Sequence, residues 1–138
     1  MKKPRFKKPT KRNRFYVPGA IWEHATKFCK CYPLWVAELS ACDSSRAIRY
    51  DLDKIQTNGD SNPTEDLGIK RAELQRKIDI VENSVNAVTE SKPLRKFLLL
   101  GVTHGLSFET LEQQHIPCGR RMYYEMRREV IFRVSKEL

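Results

Sequence analysis

Arg120, Arg121, Arg127 and Arg128 gather near the end of the chain around the paired tyrosines Tyr123 and Tyr124. Guanidinium groups grip guanine O6 and N7 bidentately and bind phosphate equally well. The chemistry on offer is recognition of nucleic acid rather than the breaking of bonds. His24, His104 and His115 lie in different segments, without the Cys, Ser or carboxylate companions that nucleophilic or metal catalysis needs. There is no phosphate-binding glycine loop and no paired acid set on one helical face, so an enzyme is not expected.

The elements that must hold these arginines follow from caps and breaks. Ser107 is a natural N-cap for a short helix through Phe108-Glu109-Thr110-Leu111, because its hydroxyl accepts from an unpaired first-turn amide. Gln114-His115-Ile116-Pro117 ends that helix, and Cys118-Gly119 opens a second one running to Leu138. On a helical wheel Met122, Tyr123, Met126, Val130, Val134 and Leu138 form the buried face. Arg121, Tyr124, Glu125 and Arg128 point the other way, while Arg120 and Arg127 border the apolar face and reach outward on long stems. A short brace, a tight turn and an Arg-rich helix are what major-groove reading requires. The expected DNA contacts are Arg120, Arg121, Tyr124, Arg127 and Arg128, with Ser107 at the start of the brace. His104 and His115 flank the motif as turn or phosphate-contact residues.

Upstream, the pattern is helical throughout. Ile21, Trp22, Ala25, Phe28 and Cys29 make an amphipathic helix over 20–31, which Tyr32-Pro33 interrupts. Leu34, Trp35, Ala37, Leu39 and Ala41 make a second helix, ending near Asp43-Ser44-Ser45, and a short third helix covers 46–55. The aromatics Trp22, Phe28, Tyr32 and Trp35 are core residues by size. Residues 57–63 are rich in turn formers and read as a linker. Thr64 then caps a long helix to about Thr89, whose stripe Leu67, Leu74, Ile78, Val81, Val85 and Val88 could bury inside the chain or against a second copy. Ser91 and Pro93 start the apolar helix Leu94 to Leu100. The fold class is therefore all-α: a helical bundle with a C-terminal helix-turn-helix. The expected organisation is a disordered basic arm at 1–15, a helical lobe at 16–56, the linker, and a DNA-binding domain at 64–138.

The segment from Leu94 to Leu138 resembles the region 4 fold of sigma factors, as it occurs in phage-encoded transcriptional regulators of the RinA and ArpU kind. The residues that carry the likeness are Leu94 to Leu100, Gly105-Leu106-Ser107-Phe108-Glu109-Thr110-Leu111, Arg120-Arg121-Met122-Tyr123-Tyr124, Arg127-Arg128 and Ser135-Lys136-Glu137-Leu138. This resemblance covers about a third of the chain. It implies a phage or prophage protein that binds promoter DNA and touches RNA polymerase.

Charge agrees with such a partner. The net charge is +9 over 138 residues. Of the 26 Lys and Arg, eight fall within residues 1–14 with no acid among them: Lys2, Lys3, Arg5, Lys7, Lys8, Lys11, Arg12 and Arg14. The rest of the chain holds 18 basic against 17 acidic side chains. A tail so charged, and stiffened by Pro4 and Pro9, buries no apolar surface and is expected to be disordered alone. It suits phosphate tracking, which adds salt-sensitive affinity without sequence preference.

The cysteines Cys29, Cys31, Cys42 and Cys118 form no Cys-x-x-Cys pair. With His24 the first three suggest a zinc set, but Cys29 and Cys31 point to opposite sides of a helix. They read as buried thiols, and neither metal nor cofactor is expected. No apolar run is long enough to span a membrane and no secretory signal opens the chain, so a cytoplasmic protein at the bacterial nucleoid is expected. The leading expectation is a sequence-specific transcriptional regulator acting on double-stranded DNA. A phage DNA-packaging protein of the small-terminase kind, an RNA-binding protein and a protein–protein adaptor share parts of the same pattern. Homodimerisation through the Leu67 to Val88 helix remains open.

Overall fold

The computed structural model describes residues 9–53 and 63–138, with side chains at 9–42 and 66–138. Every regular element in it is helical: α1 (Gly19–Lys30), α2 (Tyr32–Asp53), α3 (Pro63–Val88), α4 (Lys92–His104), α5 (Phe108–Glu112) and α6 (Arg120–Glu137). The all-α expectation is met.

The helices divide into two compact units, residues 1–31 with 80–138, and residues 32–79. This differs from the expected split at 57–63, of which residues 57–62 lie outside the described residues. The reason is α1. Its face of Trp22, Ala25 and Cys29 is buried, and it packs against α6 and α4. Ala25 and Cys29 are small enough to let the helix axes approach closely. The first helix of the chain thus completes the core of the last three. Leu98, Leu111, Tyr123, Val130, Ile131 and Val134 share that core with Val81 and Val85 of α3.

In the second unit α2 runs unbroken to Asp53. Asp43-Ser44-Ser45 does not end it, because such residues cost a helix only tenths of a kcal/mol each and no Gly or Pro falls between Leu34 and Asp53. Here Lys77 Nζ sits 5.6 Å from the centre of the Trp35 ring. α3 begins at Pro63, a residue preset for a first helical turn, so Thr64 lies inside the helix rather than before it. Of the α3 stripe, Leu74, Ile78, Val81 and Val85 are buried, so most of the face offered to a second copy is already covered within the chain.

The connections that aim α5 and α6 are closed by defined bonds. Arg95 caps the end of α3, donating from Nε to the Thr89 carbonyl (2.7 Å) and from Nη2 to that of Asn86 (3.3 Å). α4 stops at Gly105, whose φ of +65° reverses the chain. Ser107 then caps α5 as expected, accepting from the Thr110 amide at 3.4 Å. At the other end of α5, the His115 amide donates to the Glu112 carbonyl (3.0 Å) and the Ile116 amide to that of Leu111 (3.2 Å). This is the two-bond Schellman closure, with Ile116 buried beside Leu111 as its apolar clasp. His115 occupies the left-handed position at φ +64° that glycine usually fills. A side chain there is strained by about 1–2 kcal/mol, part of which glycine returns as extra freedom of the unfolded chain. We expect His115→Gly to raise stability by about 0.5–1 kcal/mol. An unchanged or lower midpoint in chemical denaturation would contradict this.

Candidate nucleic-acid interface

α6 is seated by three residues that point inward. Tyr123 is fully buried and donates from its hydroxyl to the Leu106 carbonyl at 2.7 Å. Arg127 Nη1 donates to the same carbonyl at 3.1 Å. The Tyr124 hydroxyl accepts from the Phe108 amide at 3.2 Å, satisfying one of the orphan donors at the start of α5. The Arg127 guanidinium stacks 5.6 Å from the Tyr123 ring centre and 6.0 Å from that of Tyr124. Together these side chains bolt α6 to the bend between α4 and α5.

Burial sets the protonation of this bolt. It pushes the Tyr123 phenol up to about 12, with the neighbouring Arg127 charge pulling the other way. It pushes the buried Cys29 thiol to about 12 as well, again against the pull of Arg127. Arg127 itself is lowered by burial and partly restored by the two tyrosines. At neutral pH the phenol and thiol are therefore uncharged, and Tyr123 keeps the proton it donates to Leu106.

The expected contact set is thereby corrected. Tyr124 and Arg127 are buried and serve the packing of α6, so neither is presented to a partner. The wheel had its centre misplaced: Met122 is 52% exposed and Leu138 46%, whereas Tyr124, Arg127 and Ile131 are buried. Ser107 spends its hydroxyl on the α5 cap and on Thr110 Oγ1, 3.1 Å away. Of the four arginines expected to make contact, three face outward. Arg121 is exposed. Arg120 is half-exposed, with Nη2 3.2 Å from Glu109 Oε1 in an ion pair too oblique for a hydrogen bond. Arg128 Nη1 lies 3.3 Å from Glu125 Oε2.

The basic arm is also corrected in part. Lys2, Lys3, Arg5, Lys7 and Lys8 lie outside the described residues, but residues 9–15 are folded onto α6. Asn13 Oδ1 accepts from the Phe15 amide (2.8 Å), and Asn13 Nδ2 donates to Glu125 Oε1 (3.3 Å). Phe15 is buried and its ring packs 5.8 Å from that of Phe132. This segment lays Arg14 alongside α6. A groove of about 680 Å³ opens there, lined by Arg14, Gly119, Arg120, Arg121, Met122, Glu125, Met126 and Glu129. Its lining is mainly apolar in area and carries three arginines and the two carboxylates of Glu125 and Glu129.

Compared with family models, curated proteins and solved structures, the chain matches none. The site therefore rests on its own geometry.

Sequence reasoning missed Asn13 and Met122 as members of this surface, and placed Glu125 on the outward face without assigning it a contact. A signal was present for the first. Phe15 is a large apolar residue closing a run of charge, and Asn two residues before it is the usual start of an Asx turn. Among the described residues, no group of three or more His, Cys, Asp or Glu could hold a metal ion. No described helix is long and apolar enough to cross a membrane.

Proposed function

We propose that the chain is a sequence-specific DNA-binding regulator of transcription whose α5 braces and whose α6 enters the major groove. The observation that carries this reading is that Arg14, Arg120 and Arg121 line one open groove along the N-terminal half of α6. Recognition helices of this kind meet base edges with their N-terminal residues. The first turn of α6 holds two arginines and no acid, and Gly119 supplies no side-chain cap. Cations at the positive end of a helix dipole cost stability, about 0.3–1 kcal/mol each. An anionic partner turns that local cost into affinity. The basic N-terminal segment, ending at the same groove, adds phosphate contacts beside the helix. The likeness of residues 94–138 to sigma region 4 supports a phage or prophage regulator acting at promoters, with RNA polymerase as a further partner.

The test is selection of duplexes from a random pool by the full chain at roughly 150 mM salt, where phosphate affinity alone does not pass for recognition. One sequence should be enriched, and Arg121→Ala should weaken its binding about tenfold or more through loss of a base contact. Uniform binding across the pool, unaltered by Arg121→Ala, would overturn the reading.

A further inference from the structure

Glu125 is out of place on a surface that does nothing but track phosphate. It lines the groove with Arg121 and Met122, and its side chain is about one-third exposed there. A carboxylate facing a polyanion lowers affinity for every sequence alike. Yet this one is held from two sides. Oε1 takes the Asn13 amide and Oε2 takes Arg128, each at 3.3 Å. Asn13 is itself fixed by the Phe15 amide and by the Phe15–Phe132 contact. The rotamer is set before any partner arrives, so little side-chain entropy is left to lose on binding. Arg128 offsets part of the charge without using all the lone pairs, because an ionised carboxylate offers about four acceptor sites.

We propose that Glu125 is a second specificity-determining residue of this surface, beside Arg121, and accepts from the amino group of a cytosine in the major groove; the inference rests on the DNA reading above. An ionised carboxylate accepts and cannot donate. Guanine presents two acceptors to it and thymine one, and adenine sets its N7 acceptor beside its amino donor. Cytosine presents the amino donor alone. Arg121 stands four residues earlier, one helical turn away on the same groove, and is suited to a guanine. The surface then reads a guanine and a cytosine on neighbouring base pairs. Asn13 acts as a positioning residue, holding the carboxylate where the base edge arrives.

The experiment repeats the random-duplex selection with the full chain and its Glu125→Gln and Asn13→Ala variants, with thermal unfolding of each. Gln keeps one acceptor oxygen and sets an amide nitrogen in place of the other, so one of the Asn13 and Arg128 contacts is lost; both are part-exposed, and the variant should still fold, with a midpoint lowered by a few degrees at most. The wild-type site should hold a cytosine next to the guanine that depends on Arg121. In Glu125→Gln the cytosine preference should fall roughly 10- to 100-fold and move toward adenine, which Gln pairs bidentately. Binding to unrelated DNA should rise several-fold as the like charge is removed. Asn13→Ala should weaken the same cytosine preference without shifting it to another base, which a loss of folding alone would not do. Retention of cytosine by Glu125→Gln, with the Arg121-dependent guanine intact, would overturn this inference and leave the DNA reading standing. Failure of the wild type to enrich any sequence would overturn both.

Discussion

Gly101→Ala should destabilise the protein by about 1–3 kcal/mol, although alanine is the better helix former. Gly101 is buried in α4, and a Cβ added there would lie 2.1 Å from Tyr123 Oη and 3.0 Å from Cζ. The helix-propensity gain from Gly to Ala is about 1 kcal/mol. Against it stands overpacking, typically 1–3 kcal/mol, together with a buried hydrogen bond worth about 1 kcal/mol. The ring cannot step aside cheaply. Its hydroxyl is tied to Leu106, its neighbour Tyr124 lies 5.1 Å away, and Arg127 stacks on it. Sterics win, and the thermal midpoint should drop by roughly 5–10 °C. Two comparisons make the cause specific. Gly68, with open space around its Cβ position in α3, should gain about 0.5–1 kcal/mol on replacement by alanine. Tyr123→Phe removes the closest atom, so its combination with Gly101→Ala should cost less than the two changes added together. A rise in stability for Gly101→Ala alone would show that the ring yields and that α6 is not bolted as described.

That bolt also explains what the sequence could and could not reveal. Helix boundaries in the C-terminal part were legible because breakers and caps act locally. Pro93, Ser107 and Gly119 each start a helix at the residue expected or one beside it. The face of α6 was not legible. A wheel sorts residues by polarity, so Met122 was turned inward, while Tyr124 and Arg127 were turned outward. The structure inverts both assignments, since Leu106 and Phe108 bring unpaired backbone groups to the bend. Buried carbonyls and amides need partners, and here the long polar side chains of α6 supply them. No periodicity in α6 encodes where another segment's backbone arrives. The same holds for α1, whose pairing with α6 joins the two ends of the chain, and for Asn13, whose partner is more than a hundred residues away. The glycine missing from the turn after α5 is replaced by a strained His115, which local rules did not anticipate.

Neutralising Lys2, Lys3, Arg5, Lys7 and Lys8 should lower affinity for every duplex without altering which sequence is preferred. These five cations precede the residues that pack on α6, and removing their charge spares Asn13, Arg14 and Phe15. Each phosphate contact contributes close to 0.9 to the slope of log affinity against log salt, so full engagement would reduce that slope by about 4–5. With half of them engaged, the loss near 150 mM salt is still about 100-fold. The base contacts assigned to Arg121 and Glu125 carry a different signature, because losing them removes discrimination while leaving most of the salt dependence. Titrations at several salt concentrations, on the selected site and on an unrelated duplex, separate the two. A slope that falls equally on both duplexes, with their affinity ratio unchanged, assigns the segment to phosphate. A changed ratio would mean that the segment reads sequence itself, by insertion of Arg5 or its lysines into the adjacent minor groove. An unchanged slope would remove residues 2–8 from the interface and leave Arg14 as the point where the basic segment meets DNA.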